Sequence, residues 1–233
     1  MSIILETTNL KKSFFTKQAL RGVNLNLESG RILGLMGPNG SGKTTFLKII
    51  AGLQKPSGGS FTVCGKTAGY ETKKIVSFLP DKNTLYPWMQ AIDAIDFYAD
   101  FFTDFDREKA IEMLAFMKLE KQERVKTMSK GMIEKLNLTL AFSRKASLFL
   151  LDEPLGGVDP VSRERIVSTI IKTWTEDSAI IISTHLVNDV EQIFNDVAFI
   201  DSGELVLTGD AEELRTQRGK SIDQLYLEVF ANK

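Results

Sequence analysis

The sequence holds one cysteine, Cys64, and one histidine, His185, among 233 residues. A single thiol excludes an internal disulfide and a multi-cysteine metal site, so Cys64 reads as a small apolar residue suited to a reducing compartment. No apolar run approaches the roughly 18 residues a helix needs to cross a bilayer. The start, Met1-Ser2-Ile3-Ile4-Leu5-Glu6, lacks the basic region and long hydrophobic stretch of a secretion signal. Strong charge of either sign is also missing: a formal net charge of -1 argues against nucleic acid held by bulk electrostatics, and no nucleic-acid partner is expected. Internal repeats and low-complexity segments are absent as well. What remains, 43% hydrophobic and 25% charged, is enough to bury a large core in one or two lobes, with the cytoplasm as the expected location.

Against this plain background one stretch stands out: Gly37-Pro38-Asn39-Gly40-Ser41-Gly42-Lys43-Thr44-Thr45. It fits G-x-x-x-x-G-K-S/T, follows the apolar run at 32–36 and leads into the apolar segment 46–51, where a strand turns into a helix. Glycines let consecutive backbone N–H groups approach a polyphosphate, and the helix adds its positive N-terminal end. In this reading Lys43 reaches the β- and γ-phosphates, Thr44 offers its hydroxyl to Mg²⁺, and Thr45 touches the α-phosphate side.

The rest of the chain arranges itself around that loop. Residues 3–10 and 23–27 read as strands of an antiparallel edge, separated by a polar turn at 16–18. Residues 31–36 form the strand entering the loop, residues 56–59 a turn, and 60–64 and 75–79 further short strands. From Pro87 the texture becomes helical, with apolar positions at helical spacing in 91–102, 107–117 and 130–142. Strand chemistry returns at 148–151, a helix with Pro160 in its first turn runs to 174, and a strand covers 179–183. Residues 197–200 and 204–208 read as a hairpin around Ser202-Gly203, and two closing helices occupy 211–230.

Leu148-Phe149-Leu150-Leu151-Asp152-Glu153 is an apolar strand ending in two carboxylates, which a buried strand delivers to the carboxyl edge of the sheet. Asp152 is the expected metal-side residue and Glu153 the group that orients and deprotonates an attacking water. With Ser129-Lys130-Gly131-Met132, Gly157-Val158-Asp159 and Ser183-Thr184-His185, in that order along the chain, these residues resemble the nucleotide-binding subunit of ABC transporters over nearly the whole sequence.

That resemblance implies a P-loop NTPase of α/β class: a RecA-like core with an antiparallel β-subdomain and an inserted helical subdomain. The implied division is one ABC ATPase domain over 1–233, with the core in 1–80 and 145–233 and the helical subdomain in 81–144. It implies ATP and Mg²⁺ as ligands, and Glu153 and His185 as catalytic, the imidazole contacting the γ-phosphate. Ser129 and Gly131 stand in the signature segment, where Met128, Lys130 and Met132 replace the usual leucine, glycine and glutamine. They are implied to face the γ-phosphate bound by the opposite subunit, with Ser129 also suited to cap a helix. Asp159 is implied to link the two sites across the dimer, or serves as a plain helix cap. Asp81 stands where a metal-reaching glutamine is usual, a carboxylate that can ligate Mg²⁺ but cannot donate as an amide does. Phe14 or Phe15 is implied to stack on adenine, Phe14 being preferred by its place after 9–13.

The implied partners are a second ATP-binding subunit, identical or different, and a transmembrane permease subunit. Tyr86, Pro87 and Trp88 are candidates for contact with a short helix of that permease. The implied location is peripheral, on the inner face of the cell membrane, and Asp81 with the variant signature resembles the subset serving ABC-2-type exporters. Two other readings are an ATP-binding switch with little hydrolysis of its own beside an active partner, and a soluble non-transport ABC-type ATPase. The latter usually joins two such domains or inserts a long coiled coil, and this sequence shows neither.

Overall fold

The structure, a computed structural model, describes residues 2–231. β1 (Ile3–Phe14) and β2 (Lys17–Glu28) form a long antiparallel hairpin in which Phe14 pairs with Lys17. The turn expected at 16–18 lies instead at Phe15 and Thr16, with Phe15 at φ 49, while Lys17 and Gln18 pair inside the sheet. Cross-strand hydrogen bonding carries these polar residues as strand, which one strand's own hydrophobic alternation does not register.

β3 (Ile32–Met36), buried at every position, runs into the glycine-rich loop and α1 (Lys43–Ile50). β4 (Gly58–Val63) then pairs with β1 and β5 (Lys66–Thr67) with β4, giving a four-stranded antiparallel sheet of order β2-β1-β4-β5. Gly58 and Gly59, expected in a turn, are therefore strand residues. α2 (Tyr70–Ile75) was not expected either, and it takes Ile75 from the anticipated strand, leaving β6 (Val76–Leu79). α2 has six residues and buries only Thr72, so it carries no apolar stripe to reveal it.

α3 (Ala91–Phe101), α4 (Arg107–Phe116) and α5 (Lys130–Phe142) follow, joined through buried Ala91, Ala94, Ile95, Ala110, Leu114 and Leu136. β7 (Leu148–Asp152), α6 (Pro160–Thr173) and β8 (Ala179–Thr184) return the chain to the sheet. β9 (Asp196–Asp201) and β10 (Glu204–Asp210) make the expected hairpin, and α7 (Ala211–Arg218) and α8 (Ile222–Phe230) close the described chain.

The second sheet has six strands in the order β10-β9-β3-β8-β7-β6, parallel except for the β9–β10 pair. β3, β7 and β8 are buried throughout, as continuous apolar runs of a parallel sheet should be. Successive residues feed opposite faces: Leu33, Leu35, Leu148, Leu150 and Ile181 join the core shared with α1 and the antiparallel sheet, while Met36, Phe149, Leu151 and Ile182 join the core shared with α3–α6. Because β3, β7 and β8 run parallel, their carboxyl ends share one edge, with Met36 beside Thr184 and Asp152 beside Ser183. That edge is where ligands meet open α/β sheets.

Buried Arg144 ties the three-helix segment to the edge strand. Its guanidinium donates to Val76 O at 2.8 Å, to Lys74 O at 3.0 Å and to Asp104 at 3.2 Å, and it lies 4.1 Å from the Phe102 ring centroid.

Candidate active site

The loop leaving β3 is bedded against backbone that tolerates only glycine. A Cβ on Gly37 would stand 2.1 Å from Ile200 O, and one on Gly42 (φ 119) would stand 2.7 Å from Ala19 O. The ends of β9 and β2 therefore fix where the loop runs, while Gly40 faces open space. Gly42 stands at the N-cap of α1, whose first N–H groups point back into the loop. Lys43 is buried and folds over the loop, its ammonium donating to Gly37 O at 2.7 Å and Pro38 O at 3.3 Å. The hydroxyl of buried Ser41 has no hydrogen-bond partner among the described residues.

Thr44, one residue along the helix, donates from Oγ1 to Asp152 Oδ1 at 3.1 Å. Ser183 Oγ donates to the same oxygen at 2.6 Å. The other oxygen, Asp152 Oδ2, is buried and has no hydrogen-bond partner among the described residues. Burial pushes the Asp152 carboxyl above its ordinary range, opposed by the Ser183 and Thr44 bonds, with the charges of Asp81 and Glu153 adding to the rise. An orphaned buried carboxylate oxygen beside a threonine hydroxyl is a hard-oxygen donor set, and it fits Mg²⁺. A divalent cation there would supply the positive charge that this carboxylate lacks.

Glu153 has a left-handed backbone, φ 52, that few residues other than glycine adopt. The conformation is held by its N–H, which donates to Ser183 O at 3.1 Å and Ser183 Oγ at 3.0 Å. It turns the carboxylate to His185, whose Nδ1 lies 2.8 Å and backbone N–H 3.3 Å from Glu153 Oε2. Since the carboxylate can only accept, Nδ1 carries the proton and the opposite ring nitrogen is free to face a ligand. Oε1 faces Lys43 Nζ at 3.4 Å, an ionic contact without hydrogen-bond geometry. Lys43, Thr44, Asp152, Glu153 and His185 are thus brought together by the ends of β3, β7 and β8. Ser183, which joins the Asp152 carboxylate to the Glu153 backbone N–H, stands in the Ser183-Thr184-His185 motif but was given no role of its own from the sequence; its signal was a polar residue closing the apolar run 179–182.

The remaining expected residues lie apart. Ser129 caps α5, accepting from Met132 N–H at 3.3 Å, and Asp159 caps α6, accepting from Ser162 N–H at 3.0 Å. Those Ser162 hydrogen bonds hold the Asp159 carboxyl below its ordinary range. Gly131 is buried next to Asp159, its Cβ position 3.3 Å from Asp159 Oδ2. Among the described residues, no hydrogen bond or ion pair joins Ser129, Gly131 or Asp159 to residues 37–45. Asp81 is exposed and is not drawn into the carboxylate cluster, although its charge is felt at Asp152 and Glu134. Phe14 is half-exposed with Lys12 Nζ 4.8 Å from its ring centroid, and Phe15 is fully exposed at the hairpin turn.

Comparison with known proteins agrees with this geometry. The family profile described as ABC transporter matches residues 20–156. The linearmycin resistance ATP-binding protein LnrL of Bacillus subtilis (strain 168) is 31% identical over 224 residues, covering 93% of this chain and 72% of that protein. Among solved structures, an ATP-binding subunit of an ABC transporter superposes with a TM-score of 0.87 at 24% identity, over 97% of this chain and 98% of that one. The cassette MJ0796, a dimer in a post-hydrolysis state with ADP and Pi, superposes with a TM-score of 0.79 at 23% identity, over 89% and 98% of the two chains. The fold is that of a P-loop NTPase cassette, and the chain belongs to the ABC transporter family as one of its ATP-binding subunits.

Proposed function

We propose that this subunit hydrolyses ATP at the edge formed by Lys43, Thr44, Asp152, Glu153 and His185. The phosphates of ATP lie on the N–H groups of 37–45, with Thr45 on the α-phosphate side, and draw Lys43 from the Gly37 and Pro38 carbonyls to the β- and γ-phosphates. Thr44 and Asp152 would hold Mg²⁺, which would neutralise charge on the phosphate oxygens. Glu153 takes the proton of a water as its oxygen attacks the γ-phosphorus, the bond to the β-phosphate oxygen breaks, and ADP and phosphate leave. His185 holds the Glu153 carboxylate in place, and Phe14 stacks on adenine.

The same reading pairs two subunits head to tail, each nucleotide lying between one phosphate loop and the opposite Ser129, Gly131 and Asp159. A fold neighbour that is dimeric with ADP and Pi supports this arrangement. Residues 81–144 act as the helical subdomain, and the exposed, stacked rings of Tyr86 and Trp88, 5.7 Å apart, receive a transmembrane permease on the inner face of the cell membrane. Among the described residues no helix is long and apolar enough to cross a membrane, so the membrane contact falls to that partner. Likeness to a resistance protein supports export as the direction.

The observation that carries the proposal is the Glu153 carboxylate held between His185 and Lys43 beside the orphaned oxygen of Asp152. Steady-state ATPase measurement on the purified chain tests it. Turnover by the parent should fall about 10²- to 10⁴-fold in Glu153→Gln. Equal turnover in parent and variant would overturn the assignment. Asp81, exposed and outside the cluster, favours one second reading, a subunit that binds ATP as a switch; ATP binding by a parent without turnover is its expected result.

A further inference from the structure

The first turn of α5 carries Lys130 directly after the Ser129 cap. A cation there opposes the positive end of the helix dipole, so the helix itself gives no reason for its place. The reason lies in the neighbouring loop. A Cβ on Gly157 would stand 2.6 Å from Lys130 Nζ and 3.2 Å from its Cδ and Cε, and Gly157 has φ 69. The lysine stem therefore rests on a bare Cα, in space that a side chain would fill. Next to it, the Cβ position of Gly131 is 3.3 Å from both Asp159 Oδ2 and Ser162 Oγ, so the first turns of α5 and α6 abut. One turn along α5, buried Glu134 feels the positive charge of Lys130.

We propose that Lys130 is a positioning residue that clamps the loop 155–159 to the Ser129 turn, so that Ser129, Gly131 and Asp159 form one surface. The loop begins two residues after Glu153, and its turns are closed by Gly156 N–H to Glu153 O at 3.0 Å and Val158 N–H to Leu155 O at 3.3 Å. The clamp thus connects the backbone turn that follows Glu153 to the segment a subunit offers to the other subunit. Its effect on assembly rests on the head-to-tail reading above; the clamp itself is a property of the single chain.

Amide hydrogen exchange on the single chain is the test. Lys130→Ala should accelerate exchange across 154–160 about tenfold, with β7 unchanged, while Lys130→Met, which keeps the apolar stem, stays within about twofold of the parent. Gly157→Asn, tolerated at positive φ, should displace the lysine and accelerate the same loop, and should add nothing in a Lys130→Ala background. In Glu153→Gln chains, Lys130→Ala should raise the ATP concentration for half-maximal dimer about tenfold and Lys130→Met should not, while ATP affinity of the separate subunit is unchanged. Loop exchange indifferent to Lys130→Ala, or additive effects of the two substitutions, would overturn the clamp. An accelerated loop with no dimer in any background would uphold the clamp and remove the head-to-tail reading. Dimers indifferent to Lys130→Ala would remove its part in assembly.

Discussion

Glu153 holds a left-handed backbone that costs a non-glycine residue about 1–3 kcal/mol, and the structure maintains it through its N–H, which donates to both the carbonyl and the hydroxyl oxygen of Ser183. The same serine hydroxyl donates to Asp152 Oδ1, so one oxygen ties the Asp152 carboxylate to the Glu153 backbone. Ser183→Ala leaves Glu153 with a single backbone bond and a buried carboxylate short of a donor. It should lower unfolding stability by about 1–3 kcal/mol in urea titration and reduce turnover. Lys43→Ala should abolish turnover while the fold is kept, as checked by circular dichroism. Glu134 gives a pH signature: burial pushes its carboxyl up to about 7, against the ordinary 4.5, with the charge of Lys130 opposing the rise and that of Asp81 adding to it. The folded chain then keeps a proton that the unfolded chain releases. Stability from this group is fully present below the unfolded value of 4.5 and is lost as pH rises through about 7. Glu134→Gln should remove that loss, making the variant more stable than the parent at pH 8 by on the order of 2 kcal/mol in denaturant titrations.

At the scale of elements, the phosphate loop is held by its own hydrogen bonds, such as Lys43 Nζ to Gly37 O, and by close packing of Gly37 and Gly42 on backbone that leaves no room for a Cβ. The Gly37 Cβ position lies 2.1 Å from a backbone carbonyl that cannot turn aside. Gly37→Ala should therefore cost about 2–3 kcal/mol of stability and weaken ATP binding, measured by calorimetry. Arg144 holds the three-helix segment to β6 by buried charge-assisted bonds, and Arg144→Ala strands Asp104 and two carbonyls. The expected loss is about 3–5 kcal/mol in the same titrations. Elements with a strong period or a continuous apolar run, such as β3, β7, β8, α5 and α6, were legible in the sequence because burial dictates their composition. α2 and β5 were not, since they bury almost nothing, and the long arms of β1 and β2 are extended by pairing with each other. In the site, the glycine loop and the two carboxylates could be read from local pattern. The Ser183 bridge and the Lys43–Glu153 contact could not, because they join residues brought together only when three parallel strands end on one edge.

Across the whole molecule, the parallel sheet gathers the glycine-rich loop, Asp152 and Glu153 on one edge, while Ser129 and Asp159 cap α5 and α6. In the proposed head-to-tail pair, each chain holds its own nucleotide on one surface and offers the caps of α5 and α6 to its partner's. ATP can drive closure only if it binds the paired state more tightly than the separate one, and a nucleotide shared between both surfaces provides that difference. In the proposed cycle, breaking the γ-phosphate bond then removes the bridge and reopens the pair. Sedimentation of Glu153→Gln with Mg-ATP measures this most directly. The account predicts a species of twice the monomer mass that dissolves on exchange into Mg-ADP, and it is contradicted if the chain binds ATP to saturation yet sediments as a monomer throughout.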